Sequence, residues 1–208
     1  MDTHQHSVTG GVNAMAVSAT LHCLTGCAVG EIMGLIIGTA AGLSTVTTIA
    51  LSIALAFLFG YSLSTLPLLR AGLTLGTALG VVLAADTLSI LTMEIVDNLV
   101  MAVIPGAMNA GVVNPLFWLG MMIALSVAFV AAYPVNRFLL QRGKGHALTH
   151  QYHGADHHVS GARRFIPALP TGALVATITA FMLGGLVVSI ADELGAGADS
   201  TPDHSAVQ

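Results

Sequence analysis

The chain has 208 residues, of which 55% are apolar and only 8% charged, with a formal net charge of -4. Six Lys/Arg and ten Asp/Glu are too few to cover a water-soluble globule of this length, since soluble domains carry about a quarter charged residues. The same balance argues against nucleic acid as a partner, because there is no cationic surplus to release phosphate counterions, and two cysteines cannot make a disulfide framework.

Apolar stretches bounded by Gly, Pro, Asn or charge predict an all-α polytopic membrane bundle of about five helices, with the lipid bilayer as solvent. The expected spans are Val12–Gly42, Thr45–Leu69, Leu75–Ile104, Leu116–Leu140 and Leu169–Ala191. Residues 1–11 read as a short N-terminal segment carrying His4 and His6 but no Lys or Arg, so no cleavable signal peptide is expected. Residues 12–194 form the expected transmembrane domain, interrupted by a polar linker at 141–167, and 195–208 an expected disordered tail.

The first helix carries Gly26, Gly30, Gly34, Gly38 and Gly42 at an unbroken four-residue spacing, which puts them on one stripe where a second backbone can approach closely. The third helix begins with Gly72, Gly76 and Gly80, so the two stripes are the expected mates. Beside the first stripe stand His22, Cys23, Cys27 and Glu31, the last three at i, i+4 and i+8 on one face. Thiolate and imidazole at successive turns suit a soft or borderline metal such as Cu(I) or Zn(II), with Met15, Met33 or Met93 as thioether donors.

The third helix carries Asp86, Glu94 and Asp97 along one face. With Glu31 these make four acids within apolar helices, each costing about 2.5–3.5 kcal/mol at a helix centre if turned to lipid. They should face the bundle interior and share protons or bind cations, because no Lys or Arg occurs mid-helix to neutralise them; protonated acids that only lock the bundle are the plain alternative. Parallel first and third helices place Cys23 at the depth of Asp86, and Glu31 at the depth of Glu94 and Asp97.

After the fourth helix, His146, His150 and His153 recur at helical spacing in the linker, a tract suited to metal binding or to titration near neutral pH. Orientation follows from the cations. Arg70, Arg137, Arg142, Lys144, Arg163 and Arg164 all fall on one side of a five-span bundle, which predicts a cytoplasmic N-terminus and an external C-terminus.

The segments HCLTGCAVGEIMG, FGYSLSTLPLLRAGL, AADTLSILTMEIVDN, NPLFW and AAYPVNRFLLQRGKGHALTHQYH resemble a bacterial membrane domain of unknown function, family 4396, from about Thr20 to His153. The resemblance implies a polytopic protein of the bacterial inner membrane and points toward copper, since members are sometimes joined to cupredoxin-like or heavy-metal-associated modules. It implies no established activity. The resulting expectation is a membrane protein that binds and transports a transition-metal cation, copper ahead of zinc, at His22, Cys23, Cys27, Glu31, Asp86, Glu94 and Asp97. The histidines His146, His150 and His153 would serve as acceptor or sensor. The alternatives are an intramembrane redox or metal-dependent enzyme and a structural glycine-zipper homo-oligomer.

Overall fold

The computed structural model describes residues 3–70, 72–142 and 170–199, with side chains from residue 11 to residue 195 within those stretches. Among the described residues there are five long helices and no strands. They are α1 (Thr3–Ala40), α2 (Thr45–Arg70), α3 (Leu75–Val103), α4 (Pro115–Gln141) and α5 (Thr171–Asp199), with a 3₁₀ turn at Ala107–Asn109. Each contains at least 25 residues long and apolar enough to cross a membrane, so the chain is a multi-pass membrane protein.

Two ends run past expectation. Helix α1 begins at Thr3 rather than Val12, and α5 continues to Asp199, so 195–199 is helical rather than disordered tail. The physical reason is the absence of a breaker: no proline occurs in Thr3–Ala40, and none interrupts α5 before Pro202.

The helix ends follow from local chemistry that repeats. Gly42 and Gly72 sit at φ +64° and +103°, conformations open to glycine. Around each, the same pair of bonds closes the helix: Leu43 N–H to Gly38 C=O (2.9 Å) with Gly42 N–H to Thr39 C=O (3.1 Å), and Leu73 N–H to Leu68 C=O with Gly72 N–H to Leu69 C=O, both 3.1 Å. Two residues later a hydroxyl starts the next helix: Ser44 Oγ accepts from Thr47 N–H (3.3 Å) and Thr74 Oγ1 from Thr77 N–H (3.4 Å). Asn114 Oδ1 caps α4 by accepting from Leu116 N–H at 2.8 Å, with Pro115 at the first helical position.

These short turns make α1, α2 and α3 an antiparallel series, so α1 and α3 run parallel. Helix α1 is central: 61% of its most apolar window is buried, against 11% for α2 and 17% for α5. The glycine stripe explains how α2 packs there. A Cβ on Gly26 would fall 2.5 Å from the Cα of Gly60, and Cβ atoms on Gly30, Gly34 and Gly38 would meet Ala56, Ser52 and Thr48. The stripe is therefore mated with α2, not with α3 as expected. Gly76 and Gly80 have nothing within 4 Å of the position a Cβ would take. The mate is set by the short Ala41–Ser44 connection, which forces adjacent antiparallel packing and leaves α3 to meet α1 through polar side chains.

Candidate ion site between the first and third helices

Helix α3 is amphipathic in an inverted sense. Leu83, Leu88, Leu91, Ile95 and Leu99 are exposed to the lipid side, while its buried stripe carries Asp86, Ser89, Met93, Glu94 and Asp97. All four acids expected at the interior are there: Glu31, Asp86, Glu94 and Asp97 are each at most 7% exposed.

Parallel helices bring these groups together rung by rung. Cys23 faces Asp86 and Ser89, and its Sγ lies 3.8 Å from Ser64 Oγ of α2. One turn along, Cys27 lies against Glu94; one turn further, Glu31 meets Asp97 within hydrogen-bonding reach. The α1 residues rise 23, 27, 31 as their α3 partners rise 86, 94, 97. Both cysteines are free thiols.

The column leaves polar atoms without a partner. Glu31 Oε2 and Asp97 Oδ1 are buried with no hydrogen bond, while Glu94 has the Cys27 thiol and Ser89 the Cys23 thiol against it. Unpaired buried groups each cost about 1–3 kcal/mol, so the bundle holds them at a loss of stability.

At the Glu31–Asp97 rung the column opens. A cavity of about 310 Å³ reaches it, lined by Thr39, Thr48, Ser52, Asn98 and Asn109 as well as the two acids. Ser52 Oγ donates to the Glu31 backbone carbonyl at 3.3 Å, tying α2 to α1 at the mouth, while Asn98 Nδ2 donates within α3 to the Glu94 carbonyl at 2.9 Å. At the other end, Leu68, Ala78 and Val82 form a separate buried apolar cluster one turn before Asp86. The column thus has a cavity lined by polar side chains at one end and an apolar cluster at the other.

His22 stands apart. Its Nδ1 donates to Ser18 C=O at 2.8 Å, and Ser18 Oγ accepts from Thr171 Oγ1 of α5 at 3.0 Å. Being one residue from Cys23, His22 is turned about 100° from the thiol–carboxyl face. Among the described residues, no three His, Cys, Asp or Glu side chains are grouped closely enough to hold a metal ion. The arrangement is a series of pairs rather than a cage. Of the thioethers, Met93 is buried in the same cluster as Cys23 and Cys27, whereas Met33 is 41% exposed on the outer face. His146, His150 and His153 lie outside the described residues.

Three further side chains, Ser64, Thr20 and Asn136, hold the site together without having been expected there. Ser64 joins Ser89 in supplying hydroxyls at the Cys23 rung. Asn136 of α4 donates through Nδ2 to Thr20 Oγ1 (2.8 Å), which itself donates to Ala16 C=O (2.7 Å), so α4 is tied to the buried face of α1. The signal available was an amide in an apolar span, with Thr20 as a polar residue at the same depth in an adjacent helix.

No curated protein and no solved structure matches the chain. A family model described as a domain of unknown function, DUF4396, matches residues 12–145, which include α2, α3, α4, the span of α1 and every residue of the column. The chain belongs to that family of membrane domains, DUF4396.

Proposed function

We propose that this protein carries a cation across the bacterial inner membrane along the α1–α3 column, with a transition metal as cargo and Cu(I) as the leading candidate. The observation that carries the reading is the set of buried carboxyl oxygens left without partners beside two free thiols, on two helices, α1 and α3, that contain no Lys or Arg. A proton or a metal cation must balance such groups in a low-dielectric interior.

Pairs favour passage over storage. A closed cage of three or four ligands holds a metal tightly, whereas conduction needs several sites, each weak enough to release its ion. Cu(I) is soft, accepts two ligands, and prefers thiolate, so Cys23 and Cys27 would set selectivity while Glu31, Glu94 and Asp97 receive the ion at the open end. With the Lys/Arg-rich side cytoplasmic, the cavity faces outward and the Leu68–Val82 cluster closes the inner side.

Elemental analysis of the purified protein, followed by proteoliposome flux with Cu(I), Zn(II) and Co(II), tests the proposal. Wild type should retain copper and Cys27→Ser should lose most of it. Retention of wild-type copper flux by the Cys23→Ser/Cys27→Ser variant would defeat the thiol column, and failure of wild type to bind any of the three metals would defeat metal as cargo.

A further inference from the structure

A second cavity, of about 650 Å³, lies between α1, α4 and α5. Leu24, Leu125 and Met182 form its buried floor and Val130, Val175 and Leu183 its exposed rim, so it opens sideways toward lipid. The volume is that of a site for a sizeable apolar ligand. Its wall is apolar in character, since the Ser126 hydroxyl is engaged within α4, donating to the Met122 carbonyl at 2.7 Å.

The cleft leads to a positive charge. On α4, Ser126, Val130, Tyr133 and Arg137 recur at i, i+4, i+7 and i+11, so the stripe that walls the cleft continues to Arg137. Two interhelical bonds fix the height at which it arrives: Asn136 Nδ2 donates to Thr20 Oγ1 at 2.8 Å and Thr171 Oγ1 to Ser18 Oγ at 3.0 Å, which levels Arg137 with the first turn of α5. A helix start of this kind presents N–H groups without intrahelical acceptors and the positive end of the dipole. Arg137 is half-buried, and its Nε is enclosed with no hydrogen bond. The acids of the three lining helices, Glu31, Asp192 and Glu193, all stand toward the opposite end. Arg142 is turned about 140° from Arg137 and lies over the Phe138 ring at 4.2 Å, on another face.

The dimensions match one leaflet. Met122 to Arg137 spans about 22 Å along α4, and a leaflet has about 15 Å of hydrocarbon beneath a headgroup layer of about 6 Å. We infer that the cleft holds an acyl chain of one anionic phospholipid, whose phosphate sits on Arg137 and the first turn of α5. A neutral lipid would leave the enclosed guanidinium without an anion, and a free phosphate would leave the apolar trough unfilled. The site stands apart from whatever the α1–α3 column carries.

Native mass spectrometry of the whole purified protein, incubated with phosphatidylglycerol or with phosphatidylcholine of identical chains, tests the inference. Wild type should keep one phosphatidylglycerol per chain at least about tenfold better than phosphatidylcholine, as a charge-assisted hydrogen bond requires. Arg137→Ala should bring the two lipids level, while Arg142→Ala stays within about twofold of wild type. Val130→Trp, which fills the rim from an exposed position, should lower retention of phosphatidylglycerol about tenfold, and Val127→Trp, exposed but outside the cleft, should not. The comparison of the two lipids on wild type decides the matter even if Arg137→Ala folds poorly. Equal retention of both lipids, equal losses in Arg137→Ala and Arg142→Ala, or indifference to Val130→Trp would overturn the inference. So would a lipid-free species of two chains, which would make the cleft a seam between copies.

Discussion

At the scale of single residues, Glu94 and Asn136 mark opposite uses of a buried polar side chain. Asn136 completes a chain from α4 through Thr20 to the α1 backbone, so Asn136→Ala should destabilise the bundle by about 1 kcal/mol, measured by unfolding in mixed micelles. Glu94 is buried with the Cys27 thiol, a weak partner, against it, so it adds little to the fold. Glu94→Gln should leave stability within about 1 kcal/mol of wild type, or raise it, while copper retention falls several-fold. Unfolding and elemental analysis on the same preparation separate the two effects; loss of both together would make Glu94 a packing residue. Acid should act in the same direction as this substitution. Thiols and carboxyls must lose protons to serve as ligands, so metal affinity falls as pH falls, and isothermal titration across the neutral range should show proton release on binding.

At the scale of elements, the tight seam is α1 against α2. Gly30→Ala would drive a methyl group into the Ala56 backbone and should cost at least about 3 kcal/mol or prevent assembly, whereas Gly80→Ala, with open space around it, should change stability by less than about 0.5 kcal/mol. Detergent-solubilised yield and thermal unfolding would compare the two. The same seam shows what could be read from sequence alone. Spans, breaks and depth were legible because lipid demands long apolar runs and a parallel pair fixes which residues share a level; hence Cys23 with Asp86 and Glu31 with Asp97. The glycine partner was not, because Thr48, Ser52 and Ala56 are small without being glycine, and a stripe of mixed small residues leaves a fainter pattern than Gly72, Gly76 and Gly80. His22 differs from its neighbours: adjacency in sequence to Cys23 places it on another face, where Ser18 engages it. Its role in metal binding has no support from its placement.

At the scale of the whole molecule, five spans alternate direction, and the distribution of Lys and Arg predicts which face is which. Single-cysteine reporters in a Cys23→Ser/Cys27→Ser background should label from outside at Ser44 and be protected at Thr74; the reverse pattern would invert the outward-facing cavity. Helix α2 gives the column Ser64 at the Cys23 rung and Thr48 and Ser52 at the cavity, and its 26 residues also set how far and how far round α3 restarts relative to α1. One residue inserted near Leu63 would shift the end of α2 and the start of α3 by about 1.5 Å and turn them by about 100°, swinging Asp86, Glu94 and Asp97 from the thiols toward lipid. The information α2 contributes to the site is therefore a length. Many substitutions along its outer face can be absorbed without consequence, while an insertion or deletion of a single residue there should be lost from functional variants as surely as a change to Glu31 itself.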